Sequence, residues 1–156
     1  MARAIAQDCS SSPPVVIGVL NGAVRFMMDL LAALPQPLAA EIDYDFLDAK
    51  SYRGTRATGP VELSRHLVVP VRGRPALVVD GIVDTGHTLN CVVNHLRHGG
   101  ADPVRVCALL DKPSRRQVEV AVDYVGFQIE DVFVVGYGMD CDQRHRSLPY
   151  IGVLPD

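Results

Sequence analysis

The feature that most constrains the fold is an unbroken apolar run followed by polar residues and then by a helical pattern. Residues 76–79 read Ala-Leu-Val-Val, with no polar side chain to face solvent. A strand of this character is buried on both faces, as in a parallel sheet covered by helices. His87–His98 then carries apolar residues at helical spacing, two glycines end it, and residues 104–110 are mostly apolar and form another buried strand. This order predicts a β-α-β unit.

The same alternation extends along the rest of the chain. We predict a helix at residues 23–34, ended by Pro35 and Pro37, and further strands at residues 15–20, 40–46, 67–71, 118–122, 124–127 and 132–137. Strands that alternate with helices predict one α/β domain over residues 1–156, with a mainly parallel central sheet flanked by helices. Residues from about 123 to 156 are mostly strands and loops, and we expect them to form a small cap.

Composition places limits on the class of protein. The apolar content of 48% and the charged content of 21% are close to those of average soluble globular proteins. The net charge of −3 argues against general nucleic-acid binding, which usually needs a basic face. The four cysteines form no CxxC pair, and two lie in apolar surroundings, so we expect free thiols and a cytoplasmic location. No apolar run reaches the roughly 18 residues of a membrane helix, and no signal-peptide core is evident.

Polar residues follow three of the predicted strands at the points where they end. These are Asn21-Gly22, the stretch from Asp80 to Thr88, and Asp111-Lys112. The carboxyl ends of parallel strands share one edge of the sheet, where ligands collect in open α/β folds. The sequence therefore predicts a binding site at that edge.

The stretch Asp84-Thr85-Gly86-His87-Thr88 has the chemistry of a phosphate cup. Gly86 permits a tight turn, and the first amides of the following helix have no internal partners. The threonine hydroxyls add donors, and the helix dipole favours an anion at this end. A simpler reading, with about equal weight, is that Asp84 or Thr85 only caps the helix. The glycine patterns of Walker and dinucleotide-binding loops are absent from the sequence.

Residues 77–89, LVVDGIVDTGHTL, resemble the phosphoribosyl-diphosphate motif of type I phosphoribosyltransferases. LLDKPSRR at 109–116, VGF at 125–127, FVVGYGMD at 133–140 and RHRSLPYIG at 144–152 narrow the resemblance to the bacterial hypoxanthine (hypoxanthine-guanine) phosphoribosyltransferases. The resemblance extends from about residue 15 to residue 154.

The resemblance implies a purine-salvage enzyme. Such enzymes transfer ribose 5-phosphate from phosphoribosyl diphosphate to a 6-oxopurine, with Mg²⁺, and release diphosphate. Hypoxanthine is the expected acceptor, giving IMP, and guanine the second candidate, giving GMP; the sequence does not decide among hypoxanthine, guanine and xanthine. The alternative is a catalytically weakened or regulatory nucleotide-binding paralogue on the same fold. The resemblance also implies a homodimer or homotetramer.

The resemblance assigns roles on the sugar-phosphate side of the site. Four consecutive residues are expected to hold the 5-phosphate: Thr85, Gly86, His87 and Thr88. Asp80 is expected to receive the ribose hydroxyls and, with Asp140, to face the metal. The diphosphate is expected to contact Asn21, Gly22 and Arg146. Lys50, Ser51 and Tyr52 begin a loop over residues 48–60, predicted to be mobile from its few apolar residues.

The remaining roles concern the purine. Asp84 is expected to manage the proton on purine N7, and Lys112 to point at the 6-oxo group. Phe133 is expected to stack on the base and Val134 to offer backbone groups to its edge. Without the resemblance, Phe133 reads more simply as a core residue, and Lys112 as a solvated cation.

Two features depart from the family pattern. Gly81 stands where the family has a second, adjacent acid, which predicts weak binding of phosphoribosyl diphosphate that an aspartate here would strengthen. The N-terminal part of the cap is expected to be shortened.

Overall fold

The computed structural model describes residues 1–51 and 61–154. The helices are α1 (Ala2–Cys9), α2 (Val24–Ala32), α3 (Gln36–Ala39) and α4 (His87–His98), with a 3-10 turn at Pro113–Arg115. The strands are β1 (Val15–Leu20), β2 (Tyr44–Ser51), β3 (Val61–Leu63), β4 (Ala76–Val83), β5 (Val104–Asp111), β6 (Tyr124–Gln128), β7 (Val134–Val135) and β8 (Gly152–Val153).

The central sheet has six strands in the order β3-β2-β1-β4-β5-β6. Strands β2, β1, β4, β5 and β6 are parallel, and only the edge strand β3 runs antiparallel to its neighbour among these pairs. A separate antiparallel pair, β7 and β8, lies near the C-terminus. The predicted fold class, a mainly parallel sheet with flanking helices and a small C-terminal cap, is confirmed.

Helices cover both faces of the sheet, which explains the unbroken apolar strands. Helix α4 buries Leu89, Val92, Val93 and Leu96 in one core cluster, together with Val15, Ile17 and Val78. The other face carries a second cluster, in which α1 and α2 contribute Ile5, Phe26 and Met27 against Val16 and Val79. Successive residues of β1 and β4 therefore enter opposite cores, as the two-residue period of a strand requires.

The topology creates a crevice between β1 and β4. These strands are neighbours, but the chain leads from β1 outward to β2 on one side and from β4 outward to β5 on the other. The carboxyl ends of the strands at such a reversal leave room for a ligand, because their connecting loops run in opposite directions. Asn21 follows β1 and Asp84 follows β4, so two of the predicted site segments flank this crevice.

Two predicted strands are irregular segments because their backbone amides bond elsewhere. In the segment 67–71, the amides of Val68 and Val69 donate to the buried carboxylate of Asp45, at 2.6 and 3.3 Å. In the segment 118–122, the amide of Val118 donates to the carbonyl of Thr85 at 3.0 Å. An apolar or alternating sequence does not form a strand where its donors are already used.

Other boundaries also differ from the prediction. Residues 40–43 precede β2, because the turn after α3 continues with the amides of Ala40 and Glu41 bonded to Gln36 and Leu38. Residues 48–51, predicted as loop, complete β2, while β3 was not predicted. Strand β6 pairs with β5 in the central sheet, so the expected beginning of the cap at about residue 123 is too early. The predicted strand at 132–137 is limited to β7.

The described helices include none that is both long and apolar enough to cross a membrane.

Candidate active site

A cavity of about 280 Å³ brings together eight of the predicted site residues. It lies at the carboxyl edge of the sheet, where β1, β4 and β5 end, beside the cap. Its lining consists of Leu20, Asn21, Gly22, Ile82, Asp84, Lys112, Phe133, Val134, Met139, Asp140 and Arg146. Residues predicted from four separate motifs thus face one space.

A second, smaller cavity of about 90 Å³ contains the predicted phosphate turn. Asp80, Asp84, Thr85, Gly86 and Thr88 line it, with Ile82, Val83 and Leu89. Ile82 and Asp84 line both cavities, so the two adjoin. His87 is the one predicted phosphate residue whose side chain lines neither cavity: its Nε2 lies 3.3 Å from Gln117 Oε1.

The turn before α4 depends on Gly86. Gly86 is the N-cap and has a φ of 90°, a conformation that residues with a Cβ rarely adopt. A Cβ at this position would also lie 2.3 Å from the carbonyl oxygen of Val118. No side chain among the described residues caps α4, so the simpler reading of Asp84 or Thr85 as its cap is wrong. The first amides of the helix therefore remain free to bind an anion.

The carbonyl groups of the phosphate turn are occupied by the segment after β5. The Thr85 carbonyl accepts the amides of Gln117 and Val118, both at 3.0 Å, and the Asp84 carbonyl accepts the Arg116 guanidinium at 2.9 Å. A cup for an anion must present N–H groups and turn its carbonyl oxygens away. The segment that contains Arg116 and Gln117 stabilises that orientation.

Asp80 is the buried acid of the site. One of its carboxylate oxygens accepts the amide of Gly81 at 2.7 Å. Burial raises the pKa of Asp80 to about 7, although hydrogen bonds from the amides of Gly81 and Ile82 act in the opposite direction. A carboxylate in this environment is ionised most readily when a cation or a hydroxyl group reaches it.

The residues predicted to contact the purine include a buried cation and an exposed ring. Lys112 follows β5, its side chain is 8% exposed, and its Nζ lies 3.7 Å from Asp131 Oδ1. Phe133 is 52% exposed, so it is not a core residue, and its ring is available for stacking. Val134 begins β7 and pairs with Val153.

The residues predicted to contact diphosphate lie in the loop after β1 and in the cap. Arg146 pairs with Asp140 at 2.8 Å and donates to the carbonyl of Gly138 at 2.8 Å. The second carboxylate oxygen of Asp140 accepts the amide of Gln143 at 2.8 Å. The Gly22 loop packs against β4, since a Cβ on Gly81 would lie 2.9 Å from the carbonyl oxygen of Gly22.

The donor set suits a metal that arrives with its substrate. The described residues contain no cluster of three or more side chains able to hold a metal ion. Mg²⁺ commonly binds through one or two carboxylates together with substrate phosphates and water. Asp80 and Asp140 are carboxylates lining the two adjoining cavities, so they fit that mode of binding.

The predicted mobile loop lies mostly outside the described residues. Lys50 and Ser51 are the last two residues of β2, and their backbones pair with Glu62 and Val61. Tyr52 and the segment 52–60 lie beyond the described part of the chain.

Three charged residues of the site were not predicted. Arg115 donates to Asp84 at 3.1 Å, Arg116 bonds to the Asp84 carbonyl, and Asp131 lies 3.6 Å from Arg115. The adjacent arginines after Lys112 were a usable signal, because two cations beside a site acid invite pairing. Asp131 has no comparable signal in the sequence.

The parallel sheet and the glycine turn before α4 belong to a phosphoribosyl transferase domain, since the model of that family matches residues 1–142. The chain belongs to the hypoxanthine-guanine phosphoribosyltransferase family. A member from Bacillus subtilis is 42% identical over 142 residues, which cover 90% of this chain and 77% of that protein.

Two further relatives match 99% of this chain. A solved structure of a hypoxanthine-guanine phosphoribosyltransferase from Bacillus anthracis has a TM-score of 0.90 at 38% identity and covers 99% of this chain and 89% of that one. The bifunctional protein TilS/HprT of Listeria monocytogenes is 42% identical over 99% of this chain. The chain spans 23% of the length of that bifunctional relative.

Proposed function

We propose that the protein is a hypoxanthine phosphoribosyltransferase of purine salvage. It transfers ribose 5-phosphate from phosphoribosyl diphosphate to hypoxanthine, with guanine as a second acceptor, and releases diphosphate. One observation supports the proposal: the cavity lined by Asp84, Lys112 and Phe133 shares Ile82 and Asp84 with the cavity of the predicted phosphate turn. A purine and a sugar phosphate bound in these cavities would be adjacent.

The base is positioned by three contacts with different chemistry. The Lys112 ammonium donates to the 6-oxo oxygen, an interaction that adenine, with an amino group at this position, does not offer. Phe133 stacks on the purine ring. Asp84 accepts the proton of N7, which makes the purine nitrogen that attacks the sugar more nucleophilic. General bases of this kind typically contribute 10²- to 10⁴-fold in rate.

The sugar phosphate is held by the turn before α4. The free amides of that turn, with the hydroxyls of Thr85 and Thr88, bind the 5-phosphate. Asp80 accepts the ribose hydroxyls, and its charge stabilises the anomeric carbon as it becomes cationic on departure of diphosphate. The loop at Asn21 and Gly22 and the Arg146 guanidinium bind the departing diphosphate.

Mg²⁺ is the metal we propose for this site. Asp80 and Asp140 would hold it together with the substrate's phosphate oxygens. When bound, the ion neutralises charge on the diphosphate and makes it a better leaving group.

We also propose closure of the site by the segment that begins at Lys50, Ser51 and Tyr52, which would exclude water from the activated sugar. A cytoplasmic location and a homodimer or homotetramer belong to the same proposal. Self-association is supported by an apolar groove of about 620 Å³ between α1, α2, β6 and the cap, with Phe127 and Tyr150 exposed beside it.

The test is to incubate purified protein with phosphoribosyl diphosphate, Mg²⁺ and each of hypoxanthine, guanine, xanthine and adenine. We expect nucleotide formation in the order hypoxanthine, guanine, adenine. Binding of nucleotide without turnover would instead indicate the weakened or regulatory paralogue, which the lack of an acid at Gly81 favours. Equal use of adenine and hypoxanthine would remove the assigned role of Lys112.

A further inference from the structure

Two consecutive arginines hold opposite ends of Asp84. Arg115 Nε donates to the carboxylate oxygen Oδ1 of Asp84 at 3.1 Å. Arg116 donates to the backbone carbonyl of the same residue at 2.9 Å. The side chain and the main chain of Asp84 are thus each held by a cation from the segment after β5.

The Arg116 end of this arrangement is firmly anchored. Its guanidinium forms an ion pair with Asp111, whose carboxylate is buried at the end of β5. A buried charge that is paired and hydrogen-bonded has little freedom to move, since separation would leave it unpaired in a poorly solvated position. The backbone of Asp84 is therefore fixed relative to β5, and hence relative to Lys112.

Arg115 has a second carboxylate partner that links it to Lys112. The amide of Arg115 bonds to the Lys112 carbonyl at 3.1 Å, which closes one tight turn. Residues three apart in such a turn project to the same side. Asp131 Oδ1 accordingly lies 3.6 Å from Arg115 Nε and 3.7 Å from Lys112 Nζ.

We propose that Arg115 is a positioning residue for Asp84 in phosphoribosyl transfer, an inference that rests on the proposed function. Arg115 holds Oδ1, and no described residue donates to Oδ2 of Asp84, which leaves that oxygen for purine N7. Without Arg115 the half-exposed carboxylate is free to rotate away from the base. Asp131 keeps the Arg115 guanidinium over Asp84 rather than in solvent.

The proposal is tested by a double-mutant cycle of Arg115→Ala and Asp84→Asn. We expect Arg115→Ala to lower kcat about 2- to 5-fold, the range of a partly exposed ion pair, while the KM for phosphoribosyl diphosphate is unchanged. Arg115→Lys should lie between wild type and Arg115→Ala, since it retains the charge without the planar donor. In the Asp84→Asn background, Arg115→Ala should have no further effect.

The matched control is Arg97→Ala, an exposed arginine of α4 for which the described residues provide no ion pair. It should have wild-type kinetics. Equal effects of Arg115→Ala with and without Asp84 would overturn the inference, as would a change confined to the KM for phosphoribosyl diphosphate. A wild-type protein inactive with every purine would instead overturn the proposed function itself.

Discussion

Gly81→Ala adds a methyl group without a charge next to the proposed diphosphate loop. It therefore tests the steric effect of a side chain at this position separately from the effect of a carboxylate. The φ of Gly81 is not among the positive values, so its backbone conformation suits any residue. The space around Gly81 does not suit a side chain, because a Cβ would lie 2.9 Å from the oxygen and 3.2 Å from the carbon of the Gly22 carbonyl. Both atoms are backbone, so the methyl group cannot be accommodated by rotating a side chain.

Two opposing effects determine how much Gly81→Ala changes the free energy of unfolding. Overpacking against fixed atoms costs about 1–3 kcal/mol, and the reduced entropy of the unfolded chain offsets about 0.4–1 kcal/mol of it. We expect a net loss of about 1–2 kcal/mol in the free energy of unfolding, or a fall in Tm of about 2–8 °C. The displaced Gly22 carbonyl belongs to the proposed diphosphate loop, so the KM for phosphoribosyl diphosphate should rise.

The assay combines thermal unfolding with steady-state kinetics at several Mg²⁺ concentrations. Gly22→Ala is the stability control, because no atom lies within 4 Å of a Cβ there, and its Tm should change little. Gly81→Asp meets the same obstruction, so it should not tighten substrate binding as the family pattern alone suggests. Wild-type Tm and KM in Gly81→Ala would refute this reasoning, and tighter binding in Gly81→Asp would restore the explanation from the missing acid.

Three further predictions concern other parts of the molecule. Asp84→Asn should lower kcat about 10²- to 10⁴-fold at nearly unchanged Tm, and near-normal turnover would remove Asp84 from the chemistry. Lys112→Ala should raise the KM for hypoxanthine in the same kinetic assay, and an unchanged KM would contradict its contact with the 6-oxo group. Burial raises the pKa of Asp45, but three backbone amides and the Arg65 guanidinium outweigh it and hold the pKa below its ordinary value. Its contribution to stability is therefore complete above about pH 4 and is lost as the pH falls through the folded-state pKa. Denaturant titrations should show Asp45→Asn less stable by about 1–3 kcal/mol at pH 7, with the difference shrinking in acid.

The elements that sequence predicts well are those whose pattern is local. Strand β1 and helix α4 have the predicted bounds, because a β-branched run ending at Asn21-Gly22 and a helical stripe ending at two glycines contain their own stop signals. Segments 67–71 and 118–122 have similar apolar patterns, yet neither is a strand. Their amides bond to Asp45 and Thr85, partners that lie more than twenty residues away in the chain.

Some contacts of the candidate site can also be predicted from the sequence, whereas others cannot. Topology brings the ends of parallel strands together, so the sequence alone predicts that Asn21, Asp84 and Lys112 lie close to one another. The ion pair between Arg115 and Asp84 spans 31 residues, and its geometry depends on a 3-10 turn that the sequence does not specify. The charges of both partners were visible in the sequence, but their contact was not.

The glycines around the proposed diphosphate loop allow backbones to approach closely, which the chemistry of the side chains alone does not predict. Gly138 has a φ of 102°, and a Cβ there would lie 2.4 Å from the Gly22 carbonyl oxygen that Gly81 also approaches. One carbonyl is thus enclosed by glycines from β4 and from the cap, which brings three backbones together without side chains between them. In the sequence, Gly81 reads as a lost carboxylate. In the structure, the same residue lies close to the loop after β1, so an acid at this position would have to displace the Gly22 carbonyl before its charge could act on a ligand.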